Sequence, residues 1–261
     1  MHDELLKPLR ADPSAAAILC DVDGTLAPIV GDHDASSVPE PTREVLRELV
    51  TRYGLVGCLT GRRALDARHI VGVDGIAYAG NHGFETLLPG HDEPAADPAV
   101  GGREHGPRRL IDGLDADGLA AAGLRVEDKG VIQALHWRRA ASPEAAAAEA
   151  REVAGLALAA GLVPRWGRMV LEIRPVAGID KGVAARRLLG DSRAQAALFG
   201  GDDETDIDAF TTLRWMASSD RLRAAVCVGV ASEEQPEGLT EKVDLMVEGP
   251  AGFAEVLEAL T

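Results

Sequence analysis

Aromatic side chains are scarce here: three Trp, two Tyr and four Phe among 261 residues. Apolar residues still reach 46%, so Ala, Val and Leu must fill the interior, helices should be Ala-rich, and the composition favours an α/β fold over an all-β one. Cysteine is nearly as rare. Cys20, Cys58 and Cys227 are odd in number and each sits inside an apolar run. That argues against a disulfide framework and for buried, reduced thiols in a reducing cytoplasm. No apolar stretch approaches the ~18 residues that span a bilayer. The amino-terminal M-H-D-E-L-L-K-P-L-R lacks a long apolar core, so neither export nor membrane anchoring is expected. Basic charge is also short: 42 acidic against 27 basic side chains give a formal net charge of −15. Such a surface repels nucleic acid and anionic membranes, and the Arg pairs at 62, 108, 138 and 186 are scattered rather than clustered. An acidic protein that handles an anionic small molecule must concentrate positive charge locally, through a metal, a lysine or helix N-termini.

What the sequence does contain is an alternation of short apolar runs with helical patterns. Ala15–Cys20, Leu55–Leu59, Ile76–Ala79, Ala196–Phe199 and Ala224–Val228 read as strands buried on both faces. Pro41–Tyr53 carries one apolar helical face before Gly54, and Asp180–Leu189 has an acidic N-cap with Gly190 as its stop. The expected fold is therefore α/β, a Rossmann-like parallel sheet core covered by helices. From about residue 86 a stretch rich in Pro, Gly and charge reads as a boundary loop. Beyond it, Leu124–Glu127 and Val131–Trp137 flank D-K-G as a hairpin, Ser142-Pro143 opens an Ala-rich helix closing near Gly161, and Met169–Arg174 forms a strand. Residues 105–177 thus read as an inserted α+β domain between the core segments 1–104 and 178–261.

Four segments carry chemistry. In I-L-C-D-V-D-G-T-L-A-P, an apolar strand runs into Asp21 and Asp23, and sites in open α/β sheets form at the carboxyl ends of strands. Two carboxylates this close repel unless a cation neutralises one or one holds a proton. Phosphoryl transfer uses both conditions, with an ionised metal-bound Asp as nucleophile and a neighbour that protonates the leaving oxygen. G-G-D-D-E-T-D follows another apolar strand, and its hard oxygens suit Mg²⁺, with Asp202 as the direct ligand and Asp203 and Asp206 holding water or orienting neighbours. The same cluster could simply cap a helix starting near Thr205. L-T-G-R offers Thr60, Gly61 and the N–H groups after them as a phosphate cradle. Lys181 stands in the first turn of a helix, where an ammonium opposes the helix dipole. It is either a surface lysine or one compensated by an anion.

Taken in order, these segments resemble the signature motifs of the haloacid-dehalogenase superfamily. With A-G-N-H-G at 79–83, V-E-D-K-G at 126–130, L-H-W-R at 135–138, L-E-I-R-P at 171–175 and D-K-G at 180–182, the chain is similar to the trehalose-6-phosphate phosphatase family from about Ala17 to Glu248. Thr60 stands where that family usually has Ser, which keeps the hydroxyl. Ile207 stands where it often has Glu, which removes an outer carboxylate. The resemblance implies hydrolysis of a sugar phosphate, Mg²⁺ held among Asp21, Asp23, Asp202, Asp203 and Asp206, and catalysis by Asp21, Asp23, Lys181 and Thr60. It makes the insert a cap that reads the sugar, with Glu127, Lys129, His136, Arg138 and Glu172 binding hydroxyls beside Gly61, Arg62, Asn81 and His82 of the core. Strand alternation supports a polar surface there, placing Arg125, Glu127 and Lys129 together, His136 with Arg138, and Glu172 with Arg174. A sheet with one solvated face has the same pattern, and His82 could be a satisfied structural histidine. No glycosyltransferase segment precedes the phosphatase motifs, so a synthase would be a separate chain. Other phosphorylated sugars, phosphotransfer, and a regulatory relative without activity are the competing readings.

Overall fold

The computed structural model describes residues 3–29, 36–167, 169–176, 178–232, 236 and 238–261. The chain forms two compact units, Met1–Ala95 with Ile179–Thr261, and Ala96–Gly178. The second unit thus begins at Ala96, ahead of the expected residue 105, and the expected end at 177 lies outside the described residues.

In chain order the strands are β1 (Ala16–Cys20), β2 (Leu55–Leu59), β3 (Ala77–Gly80), β4 (Glu85–Leu87), β5 (Ala95–Ala96), β6 (Arg125–Asp128), β7 (Gln133–His136), β8 (Val163–Gly167), β9 (Val170–Arg174), β10 (Ala196–Gly201), β11 (Ala224–Ala231) and β12 (Leu245–Glu248). The helices are α1 (Asp3–Ala11), α2 (Glu40–Arg52), α3 (Ala64–Val71), α4 (Gly106–Asp112), α5 (Ala116–Ala121), α6 (Pro143–Ala159), α7 (Lys181–Asp191), α8 (Asp206–Ser218) and α9 (Gly249–Glu258).

The larger sheet has the order β12-β11-β10-β1-β2-β3-β4-β5. Its pairings are parallel from β12 through β3, and β4 runs antiparallel to β3. Alternate residues of each central strand feed opposite cores. Ile18, Cys20, Val56, Cys58, Leu198 and Val228 pack with Leu6, Leu46, Leu49 and Phe253 on one face. Ala17, Leu19, Phe199 and Cys227 pack with Leu188, Leu189, Phe210 and Leu213 on the other. Burial on both faces is why these strands read as unbroken apolar runs. Each large side chain so buried is worth roughly 1.5–3 kcal/mol. All three cysteines are buried and free.

The second unit holds a four-stranded antiparallel sheet, β6-β7-β9-β8. Leu135, Leu171 and Ile173 of this sheet meet Ala146, Ala150 and Val153 of α6. Ser142 caps α6 by accepting from the Ala145 N–H, with Pro143 opening the first turn.

Three expectations need correction. The chain after residue 86 still belongs to the sheet through β4 and β5. Gly190 is no stop: α7 continues to Asp191, and Ser192 caps it, because an exposed glycine can stay helical at modest cost. Strand β8 carries no recognisable strand pattern, because Pro164 and Gly167 disguise it. It is an edge strand, where proline is tolerated.

Candidate active site

The carboxyl ends of four neighbouring strands, β10, β1, β2 and β3, bring the core motifs together. Asp21 directly follows β1, Thr60 follows β2, Asn81 follows β3, and Asp202 follows β10. Lys181, the first residue of α7, is fully buried and reaches into this group. Its Nζ donates to Asp21 Oδ1 at 2.8 Å and to Asp206 Oδ1 at 2.7 Å. Asp180 caps the same helix by accepting from the Val183 N–H at 2.8 Å, so the helix start is satisfied while the ammonium is compensated by acids.

Asp206 also shapes the loop before it. Its Oδ2 accepts from the backbone N–H groups of Asp202 and Asp203 at 2.9 and 3.0 Å. Asp203, whose side chain is half-exposed, accepts through Oδ1 from the Thr205 N–H and hydroxyl and from the Asp206 N–H. It therefore holds the turn that leads into α8, whose first residue is Asp206. Buried Thr25 donates its hydroxyl to Asp202 Oδ1 at 3.1 Å. Between Asp23 and Thr25, Gly24 takes φ 86°, and any Cβ there would overlap the Asp202 carboxylate.

These carboxylates carry more negative charge than one ammonium neutralises. Burial first, then the neighbouring charges of Asp206 and Asp203, push Asp202 up to about 7. Burial likewise raises Asp21 and Asp206 well above the ordinary carboxylate range despite Lys181. Burial works against the Lys181 ammonium, but Asp203, Asp206 and Asp21 outweigh it and hold the ammonium charged. Oxygens of Asp21, Asp202 and Asp206 lie within 4.8 Å of one another. An all-oxygen, over-charged cluster of this kind is what a hard divalent cation relieves. Asp23 and Asp203 stand outside that group.

Asp23 is instead gripped by Arg62, whose Nε donates to Oδ2 at 2.6 Å and Nη2 to Oδ1 at 2.7 Å. The Ser36 hydroxyl donates to Oδ1 at 3.2 Å. Thr60 is buried and its Oγ1 accepts from the Arg62 N–H. The loop Thr60–Arg62 is tied to the end of β3, with Asn81 N–H donating to Arg62 O and His82 N–H to Thr60 O at 2.7 and 2.8 Å. Asn81 and His82 both adopt left-handed backbone, at φ 51° and 58°, a conformation costing on the order of 1–3 kcal/mol per non-glycine residue. The His82 ring lies against Gly61, where an added Cβ would come within 2.7 Å of Cε1.

Within the second unit, the Glu127 carboxylate meets His136 Nε2 at 2.6 Å. Lys129 Nζ donates to Glu172 Oε1 at 3.0 Å, and Arg174 Nη2 to Glu172 Oε2 at 2.6 Å. The register Glu127–Ala134–Glu172–Arg165 places these groups on one sheet face. Arg138 is exposed beyond the end of β7. Thr25, Ser36 and Arg62's hold on Asp23 were not foreseen. Of these, only Thr25 had a signal, its place inside D-x-D-G-T.

A mostly parallel sheet with acids at its strand ends and an α+β unit inserted in the chain is a fold shared with solved haloacid-dehalogenase-like structures. A haloacid dehalogenase-like hydrolase from Bacteroides thetaiotaomicron shares the fold at 15% identity and TM-score 0.62, over 94% of this chain and 99% of that one. So does the C-terminal domain of C. albicans trehalose-6-phosphate phosphatase, at 20% identity and TM-score 0.75, over 100% and 96%. The trehalose-phosphatase family model matches residues 19–238, and the chain belongs to that family. It is 36% identical to the trehalose-phosphate phosphatase of Mycobacterium marinum over 206 residues, 74% of this chain and 50% of the relative. It is 35% identical over 209 residues to a Mycobacterium tuberculosis protein described as an uncharacterized glycosyl hydrolase, covering 76% of this chain and 15% of that protein. The chain thus spans half or less of the length of these curated relatives.

Proposed function

We propose that the chain hydrolyses trehalose 6-phosphate to trehalose and phosphate. The observation that carries this reading is Lys181 held between Asp21 and Asp206 beside Asp202, in a member of the trehalose-phosphatase family. Phosphate monoesters are among the slowest compounds to hydrolyse, so roughly 20 kcal/mol of barrier must be removed. Covalent catalysis divides that work. An Asp21 oxygen attacks phosphorus while Asp23 protonates the departing sugar oxygen, leaving an aspartyl phosphate. Asp23 then takes a proton from the water that hydrolyses this acyl phosphate, which releases phosphate and restores Asp21. Arg62 fixes the orientation of Asp23 for both transfers. Lys181 and Thr60 offset charge on the transferring group. Asp21 and Asp202 would hold Mg²⁺, which supplies positive charge against the phosphoryl oxygens when bound. Asp206 orients rather than ligates, because both its oxygens are already engaged.

Within the second unit, Glu127, Lys129, His136, Arg138 and Glu172 read sugar hydroxyls; within the first, Gly61 and Arg62 serve substrate binding from the phosphate-binding loop, and Asn81 and His82 from the turn tied to it. Paired carboxylates and cations on one sheet face support this, since such groups are strong hydrogen-bonding partners for hydroxyls. The buried free cysteines fit a reducing cytoplasm, and among the described residues no helix is long and apolar enough to cross a membrane. A glycosyl transfer to a sugar phosphate would supply the substrate. Phosphate release from a panel of sugar phosphates, with Mg²⁺ present, tests the reading. Trehalose 6-phosphate should give the highest kcat/KM, and a flat profile or preference for another sugar phosphate would overturn the substrate assignment.

A further inference from the structure

One buried carboxylate plays no part in this chemistry. Glu85, the first residue of β4, is 7% exposed. Its Oε1 accepts from the Ala64 N–H at 2.6 Å, the first residue of α3, and Glu85 pairs across the β3–β4 ladder with Gly80, the residue before Asn81. Ala64 lies two residues beyond Arg62, and Asn81 opens the left-handed turn whose N–H groups grip the Thr60–Arg62 loop. We infer that Glu85 is a positioning residue of the active site: it braces the start of α3 and the Asn81–His82 turn, and through them sets Thr60, Gly61 and Arg62 against Asp23.

The argument is one of connectivity. The loop that carries Arg62 to Asp23 has two anchors, the backbone bonds to Asn81 and His82 on one side and the first turn of α3 on the other. Glu85 engages both anchors at once, through its carboxylate at the Ala64 N–H and through its strand pairing with Gly80 beside Asn81. Two consecutive left-handed non-glycine residues persist only where their surroundings over-determine them. A carboxylate at a helix N-terminus is favourably placed to do so. Burial raises Glu85, and the Ala64 N–H works in the opposite direction by favouring the ionised form, as a built acceptor site would. At Gly80, a Cβ would strike both Ala64 N and Glu85 Oε1, so the strand end, the helix start and the carboxylate are packed in contact.

This inference rests on the phosphatase reading, and the test separates the two. The unmodified protein must first release phosphate from trehalose 6-phosphate and from para-nitrophenyl phosphate; if it hydrolyses neither, the phosphatase reading fails and this inference falls with it. Given that activity, Glu85→Ala should lower kcat on both substrates by the same factor, about ten- to a hundredfold, as expected when a reacting group is misplaced by a fraction of its proper geometry. Glu85→Gln keeps an acceptor for the Ala64 N–H and should recover most of the rate. Circular dichroism and melting establish that each variant is folded at the assay temperature. Should Glu85→Ala not fold, Glu85→Asp decides the matter, because it keeps the carboxylate but is one methylene too short to meet the Ala64 N–H in the same place. It should show a smaller loss, again equal on both substrates. Wild-type kcat in a folded Glu85→Ala or Glu85→Asp, a loss confined to trehalose 6-phosphate, or a Gln variant as impaired as Ala would each overturn the inference.

Discussion

The two sheets handle charge in opposite ways. In the larger one, the central parallel strands are apolar on both faces and acids gather at their carboxyl ends, where Asp21, Asp202 and Asp206 are buried around Lys181. In the smaller one, charge lies along one face of the strands as discrete pairs, Glu127 with His136 and Glu172 with Lys129 and Arg174. The first arrangement leaves carboxylates frustrated, with Asp202 pushed up to about 7. The second leaves them satisfied, with Glu127 held below its ordinary value chiefly by the His136 hydrogen bond. A frustrated cluster is poised for a cation and for covalent chemistry, whereas satisfied pairs suit the recognition of neutral hydroxyls.

The largest way to break that comparison is Asp21→Asn. The amide is nearly isosteric but a far poorer nucleophile, so turnover should fall by roughly a thousandfold or more while the melting temperature stays close to that of the unmodified protein. Near-normal turnover, with contamination excluded, would remove the nucleophile from the account. Next in size is the cation. Exhaustive chelation should abolish phosphate release and Mg²⁺ should restore it, and Asp202→Asn should raise the Mg²⁺ needed for half-maximal rate at least about tenfold. Activity indifferent to chelation would contradict the reading of the acidic cluster. The effect of Arg62→Ala should be smaller, about ten- to a hundredfold in kcat on sugar and aryl phosphates alike, because Asp23 is left in place but no longer oriented. A loss seen only with the sugar phosphate would make Arg62 a sugar contact instead.

The smallest effect concerns pH. Because the His136 hydrogen bond holds the Glu127 carboxyl below the ordinary glutamate value of 4.5, the pair adds stability above that value and loses it as pH falls through the lower folded one. Glu127 is substantially exposed, so the contribution is modest. Melting of the unmodified protein and of Glu127→Gln should differ by at most a few degrees near neutrality, and the difference should shrink as the solution is acidified. A gap that widened on acidification would show the sign to be wrong.

Much of this was readable in the residues, for identifiable reasons. Strands β1, β2, β10 and β11 announce themselves because burial on both faces demands continuous apolar runs, and an acid at such a run's end is conspicuous. Lys181 was legible as an anomaly, a cation in the first turn of a helix, and its partners are the acids that remove the anomaly. Strand β8 was hidden by Pro164 and Gly167, and α4 and α5 by being too short for helical periodicity to register. Thr25 and Ser36 are single hydroxyls whose partners lie 177 and 13 residues away, and no local pattern marks such contacts. Arg62 stood among the substrate contacts as part of L-T-G-R, and its pairing with Asp23, 39 residues away, had no local signal. Glu85 drew no notice, since a lone Glu in a short strand signals nothing until its partners at 64 and 81 converge on it.

The division of labour between the two sheets is tested most directly by the selectivity of Glu172→Ala, measured as kcat/KM for trehalose 6-phosphate against kcat/KM for para-nitrophenyl phosphate on folded, Mg²⁺-loaded protein. Removing a hydrogen bond to a charged partner costs about 1.5–3 kcal/mol, so the sugar phosphate should lose roughly tenfold to a few hundredfold. The aryl phosphate, which offers no second sugar, should change far less. Equal losses on both substrates would contradict the account, because the second sheet would then serve stability or catalysis rather than recognition.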